Sequence, residues 1–375
     1  MRFVFYTHSL ISDWNHGNAH FLRGVMRDLV RRGHKALALE PQQSWSRENL
    51  LHAQGQAALD RFRIDFPELD TVIYDAAFDH EAALDEADIV VVHEWTDPAL
   101  VERLGNMRAA GADFTLLFHD THHRAVSSRG DIATLDLSGY DAVLAFGETL
   151  RQRYLDAGWG RQVFVWHEAA DTLTFRSMPE EPRQGDLIWI GNWGDDERTA
   201  EIAEYLVEPA RILGLSGEVR GVRYPDSAIA ALQRAGLSYG GWIANAEVPR
   251  AFARHGLTVH IPRRPYVEAL PGIPTIRVFE ALACGIPLIS APWIDAERLF
   301  HPGEDFLFAH NGEEMRRQMR AVLDDADLAA SLVSNGLATI RARHTCHHRV
   351  DELLAILKSI GTARVTGQIA LEPAQ

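Results

Sequence analysis

Short apolar runs alternate with amphipathic segments along most of the chain, and this alternation predicts βαβ units built on parallel sheets. In the first half the apolar runs predict strands at 3–6, 36–39, 71–74, 89–93, 115–119, 142–146 and 163–167. Their continuous apolar character is typical of strands covered on both faces. Between the first two strands, apolar residues recur at helical spacing from Phe21 to Val30 and Gly33 follows as a stop, which predicts a helix.

The alternation is interrupted at about 171–186, where two prolines and the loss of periodicity predict a linker. A second series follows, with strands predicted at 187–190, 219–222, 237–240, 258–261 and 288–290, and helices at 198–213, 226–235, 246–253 and 275–284. The pattern predicts two doubly wound α/β domains, at 1–170 and 187–345, and a last segment at 346–375 whose tail loses helical pattern from Thr362. Ligands bind such sheets beyond the carboxyl ends of the strands, so site residues are expected in the loops after strands.

The length and the charge of the chain narrow its class. At 375 residues it exceeds the usual size of one domain, in agreement with two. A formal net charge of −15 argues against a nucleic-acid partner, although a small phosphate ligand needs only a few local cations or helix starts. The two cysteines, Cys284 and Cys346, are too few for a disulfide framework or a Cys-rich zinc site and favour a reducing cytoplasm. The apolar runs are too short for a signal peptide or a spanning helix, while peripheral membrane contact stays open.

The strongest candidate for ligand binding is the Gly/Pro loop at 271–274 together with the helix that follows it. Thr275 is predicted to cap this helix, whose first amides and partial positive charge suit a diphosphate. Arg277 can add a bidentate contact to phosphate. Glu280 lies about one turn further on, on roughly the same face, where a carboxylate can accept ribose hydroxyls.

The stretch from Arg277 to Pro287, RVFEALACGIP, resembles the nucleotide-sugar signature of GT-B glycosyltransferases. It is most similar to the CgeB-type (spore-maturation-like) branch of the glycosyl transferases group 1. The resemblance implies two Rossmann-like domains facing across a cleft, with a C-terminal helix that crosses back to the first domain. It also implies a sugar donor of the UDP, GDP or TDP type, with no metal ion or other cofactor required.

The same resemblance assigns roles to residues of the signature. It implies that Glu280 binds the donor ribose and that Thr275, Ile276 and Arg277 hold the diphosphate. Many retaining relatives have a second glutamate eight residues before the ribose-binding one, at the position that Gly272 occupies here. The contacts to the donor sugar and the stereochemical outcome therefore stay open.

Further segments agree with the family in order and spacing. The passage 167–175 is similar to the interdomain passage of the family. Asn192 and Arg198 follow the first strand of the second domain, where the family places a small-residue turn and a cation beside the donor phosphates. Trp242 follows another strand and is predicted either to stack on the nucleotide base or to pack between the domains. Arg263 ends the strand before the signature and is expected to reach phosphate or sugar.

The loop between the first strand and the first helix carries Gly17 and Asn18. Gly17 permits close approach of the backbone, and Asn18 or the amides after it are predicted to meet a donor phosphate from across the cleft. The loop lacks the GxGxxG spacing, which counts against a nicotinamide oxidoreductase.

Histidines and carboxylates follow the strands of the first half. His119, Asp120 and His122 are the predicted catalytic residues, because a histidine can accept the proton of an acceptor hydroxyl while Asp120 orients it. The acceptor side is expected to be lined by His16, His93 and Glu94. A metal site is the rival interpretation of these residues, and it is less favoured because no second His/Cys cluster with ligand spacing is present in the sequence.

The predicted function is therefore transfer of a sugar to an acceptor that the sequence does not identify: a saccharide, a lipid-linked saccharide, a protein or a small molecule. Two alternatives stay open. A sugar-nucleotide epimerase on the same fold would need acid–base carboxylates near the sugar and no acceptor. A non-catalytic module that kept the fold would bind a nucleotide weakly or not at all.

Overall fold

The computed structural model describes residues 1–194 and 196–371, with side chains as far as residue 361. Its first sheet has seven strands: β1 Arg2–Tyr6, β2 Lys35–Pro41, β3 Asp70–Tyr74, β4 Ile89–His93, β5 Thr115–Asp120, β6 Ala142–Ala145 and β7 Val163–Val165. All neighbouring strands are parallel, in the spatial order 3-2-1-4-5-6-7. We call residues 1–165 the first unit.

The second sheet has six parallel strands: β8 Gly185–Ile190, β9 Gly217–Arg220, β10 Leu237–Tyr239, β11 His255–His260, β12 Leu288–Ser290 and β13 Leu307–Phe308. Their spatial order, 10-9-8-11-12-13, repeats the order of the first sheet. We call residues 185–343 the second unit. In each sheet the strand order reverses between the first and the fourth strand of its unit, so the loops after β1, β4, β8 and β11 stand at the points where doubly wound sheets bind ligands.

Eight helices surround the first sheet: α1 Asn18–Arg31, α2 Trp45–Gln54, α3 Gln56–Asp65, α4 His80–Leu84, α5 Pro98–Ala109, α6 Arg124–Ser127, α7 Arg129–Ala133 and α8 Glu148–Ala157. The helix predicted from the apolar periodicity is α1, and it buries Phe21, Val25 and Leu29 against the sheet. It ends before Gly33, whose φ of +81° suits glycine.

The second unit carries α9 Thr199–Ile202, α10 Glu208–Leu213, α11 Asp226–Arg234, α12 Val248–Ala253, α13 Arg264–Ala269, α14 Ile276–Cys284, α15 Gly312–Asp324 and α16 Ala326–Arg343. The helix predicted at 198–213 is one continuous rod with a π-helical turn at Ala203–Val207, between α9 and α10. Pro209 explains this widened turn, because it has no N–H to donate and its ring crowds the preceding turn.

The chain crosses between the units twice, at 166–184 and again at the last helix, α17 Cys346–Leu371. A Cβ on Gly24 of α1 would stand 2.4 Å from the Sγ of Cys346, so glycine is what allows α17 to lie this close. The indole N–H of Trp166 donates to the carbonyl of Arg349 at 2.8 Å. The predicted return of the C-terminal helix to the first unit is confirmed.

The predicted strands lie within three residues of the observed ones. The short β13 was not predicted, because two residues give no periodic signal. Residues 362–371 belong to α17, so the expected loss of helix from Thr362 does not hold there, and residues 372–375 lie outside the described part. None of the helices described combines the length and apolar character needed to cross a membrane.

Candidate active site

A cavity of about 1060 Å³ lies between the two units, and we call it the cleft. It is lined from the first unit by loops that follow β1, β4 and β5, and from the second unit by loops that follow β8 and β11. The topology alone places these loops at the ligand-binding edge of each sheet. Each unit therefore contributes one wall to the same site.

The starts of α1 and α14 meet at the cleft. Gly17 directly precedes α1, and a Cβ there would stand 3.1 Å from the Cγ2 of Ile276, the first residue of α14. The first amides of a helix lack partners within it and carry a partial positive charge, so two such starts favour an anion between them. Asn18 also lines the cleft, and its buried Oδ1 accepts no hydrogen bond from the described residues.

Four arginines line the wall that the second unit contributes: Arg198, Arg223, Arg263 and Arg277. Arg198 is buried, and its Nη1 donates to the carbonyl of Ile261 at 2.6 Å while its Nη2 donates to the carbonyl of Asn192. Burial lowers the pKa of Arg198 to about 10, so it keeps its charge at neutral pH. Arg263 is held by both carboxylate oxygens of Glu197, at 2.6 and 3.1 Å. Contacts within the protein thus hold the guanidinium groups of Arg198 and Arg263 in place on this wall.

Asn192 connects the two walls. Its amide nitrogen donates to Oδ1 of Asn15 in the first unit, and its own Oδ1 accepts from the main-chain N–H of Val222 at 2.9 Å. The side chain lines the cleft, as a donor-binding residue must. An amide nitrogen carries two hydrogens, so Asn192 can hold Asn15 and still donate to a phosphate.

Thr275 occupies the N-cap position of α14 without capping it through its side chain, so this detail of the prediction is wrong. Its hydroxyl instead bonds Nε2 of His260 at 3.0 Å, while Nδ1 of His260 bonds Oγ of Ser290 at 2.8 Å. Ser290 donates onward to the carbonyl of Ala291, so His260 donates from Nδ1 and accepts at Nε2. Burial lowers the pKa of His260 to about 3, which keeps the ring neutral. The Thr275 hydroxyl is thus held by His260 and leaves the first amides of α14 to a ligand.

Glu280 is fully buried and lies behind the cleft wall. One carboxylate oxygen accepts from Nδ1 of His20 in α1 at 3.1 Å, and the other accepts from Arg277. The main-chain N–H of Asp171 donates to the other ring nitrogen of His20 at 2.8 Å, which fixes the proton on Nδ1. Burial by itself would raise the pKa of Glu280, but the charge of Arg277 and the bond from His20 outweigh it and the pKa is lowered.

These contacts change the expected role of Glu280. Its two oxygens join α1, α14 and the crossing segment, and they fix the Arg277 side chain that lines the cleft. A ribose would reach this carboxylate only after Arg277 or His20 moved away. The expectation that Glu280 stands on the cleft surface is therefore not met in this structure.

His119 and Asp120 also lie behind a wall of the cleft. The His119 ring is buried against Trp166, with ring centroids 4.7 Å apart, and burial lowers its pKa to about 3. Asp120 accepts from the hydroxyl of Tyr154 at 2.7 Å and from the main-chain N–H of His122 at 3.1 Å. Both side chains are buried in the protein and neither is part of the cleft lining, so an acceptor in the cleft would not touch them in this arrangement. His122, two residues beyond β5, does line the cleft.

Among the predicted acceptor-side residues, His16 and His93 line the cleft. Burial lowers the pKa of His16 to about 3 and holds that of His93 well below its usual value, so both rings are neutral near pH 7. Glu94 is buried beneath them, with a carboxylate oxygen 3.0 Å from Nδ1 of His93. Burial and the nearby Asp120 raise the pKa of Glu94. The prediction that Glu94 lines the acceptor pocket is not met, and its contact is with His93.

Trp242 lines a second cavity of about 620 Å³, which α3 and α12 border. Phe62 of α3 and Arg250 of α12 are among its neighbours there. The indole N–H of Trp242 is buried and, within the described part of the chain, donates to nothing. Stacking on a nucleotide base would require the base to enter this second cavity.

Glu168 is a cleft residue that the sequence prediction did not include. It lies in the crossing segment just after β7, at the carboxyl end of a strand, and this position was the signal that could have identified it. Burial and then the charge of Glu280 raise the pKa of Glu168 to about 8, against the opposing effect of Arg277. A carboxyl group of this kind can take up or release a proton near neutral pH. Over the residues described, no three His, Cys, Asp or Glu side chains are grouped as metal ligands.

Residues 198–355 match a family described as glycosyl transferase-like. Proteins of curated function include no significant match to the sequence. Several solved structures share the fold. HepE of Anabaena in complex with UDP and glucose has a TM-score of 0.67 and 14% identity, over 96% of this chain and 100% of that one. Sucrose-phosphate synthase of Thermosynechococcus elongatus has a TM-score of 0.64 and 12% identity, over 97% and 100%.

An α-glucosyltransferase in complex with UDP and a 13-mer DNA containing a HMU base has a TM-score of 0.69 and 12% identity, over 96% of this chain and 99% of that one. The predicted GT-B fold is confirmed, and the family match supports the same class of enzyme, a GT-B glycosyltransferase. The CgeB-type branch stays a prediction. The exclusion of nucleic acid has no support from these comparisons, since one protein of this fold holds DNA.

Proposed function

We propose that the protein transfers a sugar from a nucleoside-diphosphate sugar to an acceptor hydroxyl in the cleft. The observation that carries the proposal is the meeting of two helix starts and four arginines in one cavity, at the carboxyl ends of both sheets. Such a set of amides and guanidinium groups suits a diphosphate. Structures of HepE hold UDP and UDP-glucose, which makes a uridine donor the first one to test.

In this reaction the acceptor oxygen forms a bond to the anomeric carbon as the bond from that carbon to the diphosphate oxygen breaks. The nucleoside diphosphate leaves with the electron pair, and the acceptor proton passes to a base. Arg277, Arg198 and the amides at the start of α14 would stabilise the negative charge on the leaving group. The proposal assigns this stabilisation to protein groups, in line with the metal-independent reaction expected from the sequence.

We propose that Glu168 is the base that accepts this proton. It lines the cleft and interacts electrostatically with Arg277 and Glu280, so it stands beside the donor wall. The histidines of the cleft are weaker bases, because burial depresses the pKa of His16 and His122. A carboxylate whose pKa is about 8 accepts a proton more readily and is partly ionised near neutral pH.

The test of donor binding starts with a thermal-shift screen against UDP, GDP, TDP, CMP and ADP sugars. A ligand that binds only the folded state raises the melting temperature by mass action. The best donor is then titrated by calorimetry into Arg277→Met, which we expect to bind about tenfold more weakly or worse. Arg211→Met is the matched control, since Arg211 is half exposed and pairs with Glu208 in its own helix. Failure of every nucleotide sugar, or equal affinity of the two variants, would contradict the proposal.

An activity assay separates the proposed function from its alternatives. The protein is incubated with the donor alone and the products are followed by NMR. Conversion of the donor to an epimer, with no acceptor present, would identify the epimerase instead. Donor binding without turnover, in the presence of a broad acceptor mixture, would identify the non-catalytic module.

A further inference from the structure

Three tryptophans line the wall of the cleft that the first unit contributes: Trp14, Trp45 and Trp95. They come from the loop after β1, the start of α2 and the loop after β4, and each is partly exposed. The ring centroids of Trp14 and Trp45 are 6.2 Å apart, and those of Trp45 and Trp95 are 6.4 Å apart. Both pairs meet edge to face, at interplanar angles of 72° and 70°, and we call this cluster of three rings the tryptophan platform.

The platform is held in place from behind. The ring of His8 stacks on Trp45 with centroids 4.5 Å apart and an interplanar angle of 26°. Nε2 of His8 accepts from the main-chain N–H of Ser46 at 3.3 Å, and the Ser46 hydroxyl donates to the carbonyl of Trp14 at 2.7 Å. The same buried residues thus fix Trp14 and Trp45, so little ordering is left for a ligand to impose.

The platform also carries little net charge. The guanidinium of Arg124 lies 4.4 Å from the ring centre of Trp95, and its charge is offset by Asp131 at 3.6 Å. The nearby rings of His16 and His122 are neutral at pH 7, because burial lowers their pKa. The opposite wall carries four arginines, of which Arg263 pairs with Glu197 and Arg277 pairs with Glu280.

We propose that the tryptophan platform binds a neutral saccharide, which is the acceptor of the glycosyl transfer proposed above. Indole rings offer large, flat apolar faces on which the C–H groups of a sugar ring can stack. Asn49 and Ser128 line the same wall and supply neutral hydrogen-bonding groups for sugar hydroxyls. An anionic glycan or a nucleic-acid strand would need cations. Among the described residues that line this wall, Arg124 is the one lysine or arginine, and it pairs with Asp131.

The first experiment uses wild-type protein saturated with UDP. A glycan array presents neutral and anionic oligosaccharides, and a 13-mer DNA containing a HMU base is tested in parallel. We expect neutral oligosaccharides to bind best. In saturation-transfer NMR of the best oligosaccharide, irradiation of the protein's aromatic signals should transfer most strongly to the ring C–H protons of the sugar. This measurement needs no variant.

Variants then locate the contact by calorimetry with that oligosaccharide. Trp45→Ala and Trp95→Ala should each weaken saccharide binding about tenfold or more, and Trp45→Phe should keep most of it. Trp159→Ala is the control, because Trp159 is also partly exposed in the first unit but contacts Tyr154, at 5.4 Å between ring centroids, away from the cleft. UDP affinity of the Trp45 and Trp95 variants should equal that of wild type.

Binding of anionic glycans or DNA in preference to neutral glycans would overturn the inference, as would the absence of any saccharide binding. Equal losses in the Trp45, Trp95 and Trp159 variants would also overturn it. These failures differ from failure of the proposed function, in which wild-type protein would bind no nucleotide sugar.

Discussion

The two walls of the cleft come from units with the same strand order but differ in their chemistry. The wall of the second unit carries four arginines and the start of α14. The wall of the first unit carries three tryptophans and histidines that burial keeps neutral. Both follow the carboxyl ends of parallel strands, so the topology sets where a ligand lies, while the side chains after each strand set which ligand it is.

Under the proposed function, this difference would let one cavity bind two substrates on separate walls. A wall of arginines would attract the diphosphate and stabilise the departing nucleotide. A neutral aromatic wall offers an anion no charged partner. Glu168 lies where the walls meet, and its raised pKa reflects burial and the charge of Glu280. The predictions below test the contacts that join the walls, beginning with the largest effect.

Glu280→Ala should have the largest effect, because Glu280 joins His20 of the first unit to Arg277 of the second. Its removal leaves the buried Nδ1–H of His20 without an acceptor and the guanidinium of Arg277, which is 27% exposed, without its partner. The expected cost is about 1–3 kcal/mol of the free energy of unfolding or more. Donor affinity should fall as well, since Arg277 loses its support. Urea unfolding and calorimetry with the donor measure the two effects.

Glu280→Gln is the isosteric comparison and should lose less stability, because an amide can still accept from His20. The pKa of Glu280 is lowered in the folded protein, so its contribution is present above the ordinary value of 4.5 and disappears as the pH falls through the lowered value. The stability gap between wild type and Glu280→Gln should therefore narrow in acid. A loss below about 1 kcal/mol for Glu280→Ala at pH 7 would show that the walls are joined elsewhere.

The contact made by Glu280 also shows what a sequence can and cannot predict. The helix start at residue 276, its arginine and its glutamate follow from local pattern and from the family signature. Nothing local pairs Glu280 with His20, because 260 residues separate them and only the docking of the two units brings them together. Most of the fold was predictable because it depends on local pattern. Parallel strands buried on both faces leave continuous apolar runs in the sequence.

The same limit applies to the first wall. A cluster of polar residues was expected near the cleft after β5, and which of them line it depends on where each side chain turns. His122 lines the cleft, whereas His119 turns toward Trp166. Trp45 starts α2 well away from any predicted motif, and its ring packs on His8, Trp14 and Trp95, which come from other segments of the chain.

Glu168→Gln should have the next largest effect, and it is specific to catalysis. If Glu168 accepts the acceptor proton, kcat should fall about a hundredfold while donor affinity changes little. In wild type, kcat/KM should rise with pH and level off above about pH 8, where Glu168 is ionised. The glutamine variant should lose this rise. His122→Gln is the control, since a ring whose pKa lies well below its usual value should not shape the profile near pH 8.

The thermal stability of Glu168→Gln gives a second measurement. The variant should lose activity but gain stability relative to wild type. The pKa of Glu168 is raised from 4.5 to about 8 on folding, so the folded protein holds a proton that the unfolded chain releases, and stability falls as the pH rises between these values. The glutamine variant should thus melt at a higher temperature than wild type near pH 8, with the difference vanishing near pH 4. If wild type and Glu168→Gln showed the same pH dependence of kcat/KM and of melting temperature, Glu168 would not be the base.

Gly17→Ala should have the smallest effect, and it tests whether the walls are as close as the structure places them. The φ of Gly17 is −60°, so alanine strains no backbone angle, but its Cβ would stand 3.1 Å from the Cγ2 of Ile276. That distance is tight enough to push the starts of α1 and α14 apart by a few tenths of an ångström. We expect donor affinity to fall about two- to fivefold, with stability within about 1 kcal/mol of wild type.

Ile276→Ala removes the methyl group that Gly17→Ala would strike, so the double variant should bind the donor better than the two single losses predict. Coupling of this sign in a double-mutant cycle is expected for positions that touch. Additive losses would mean that the helix starts stand further apart in solution, and the shared diphosphate site would then have to form by closure around the donor.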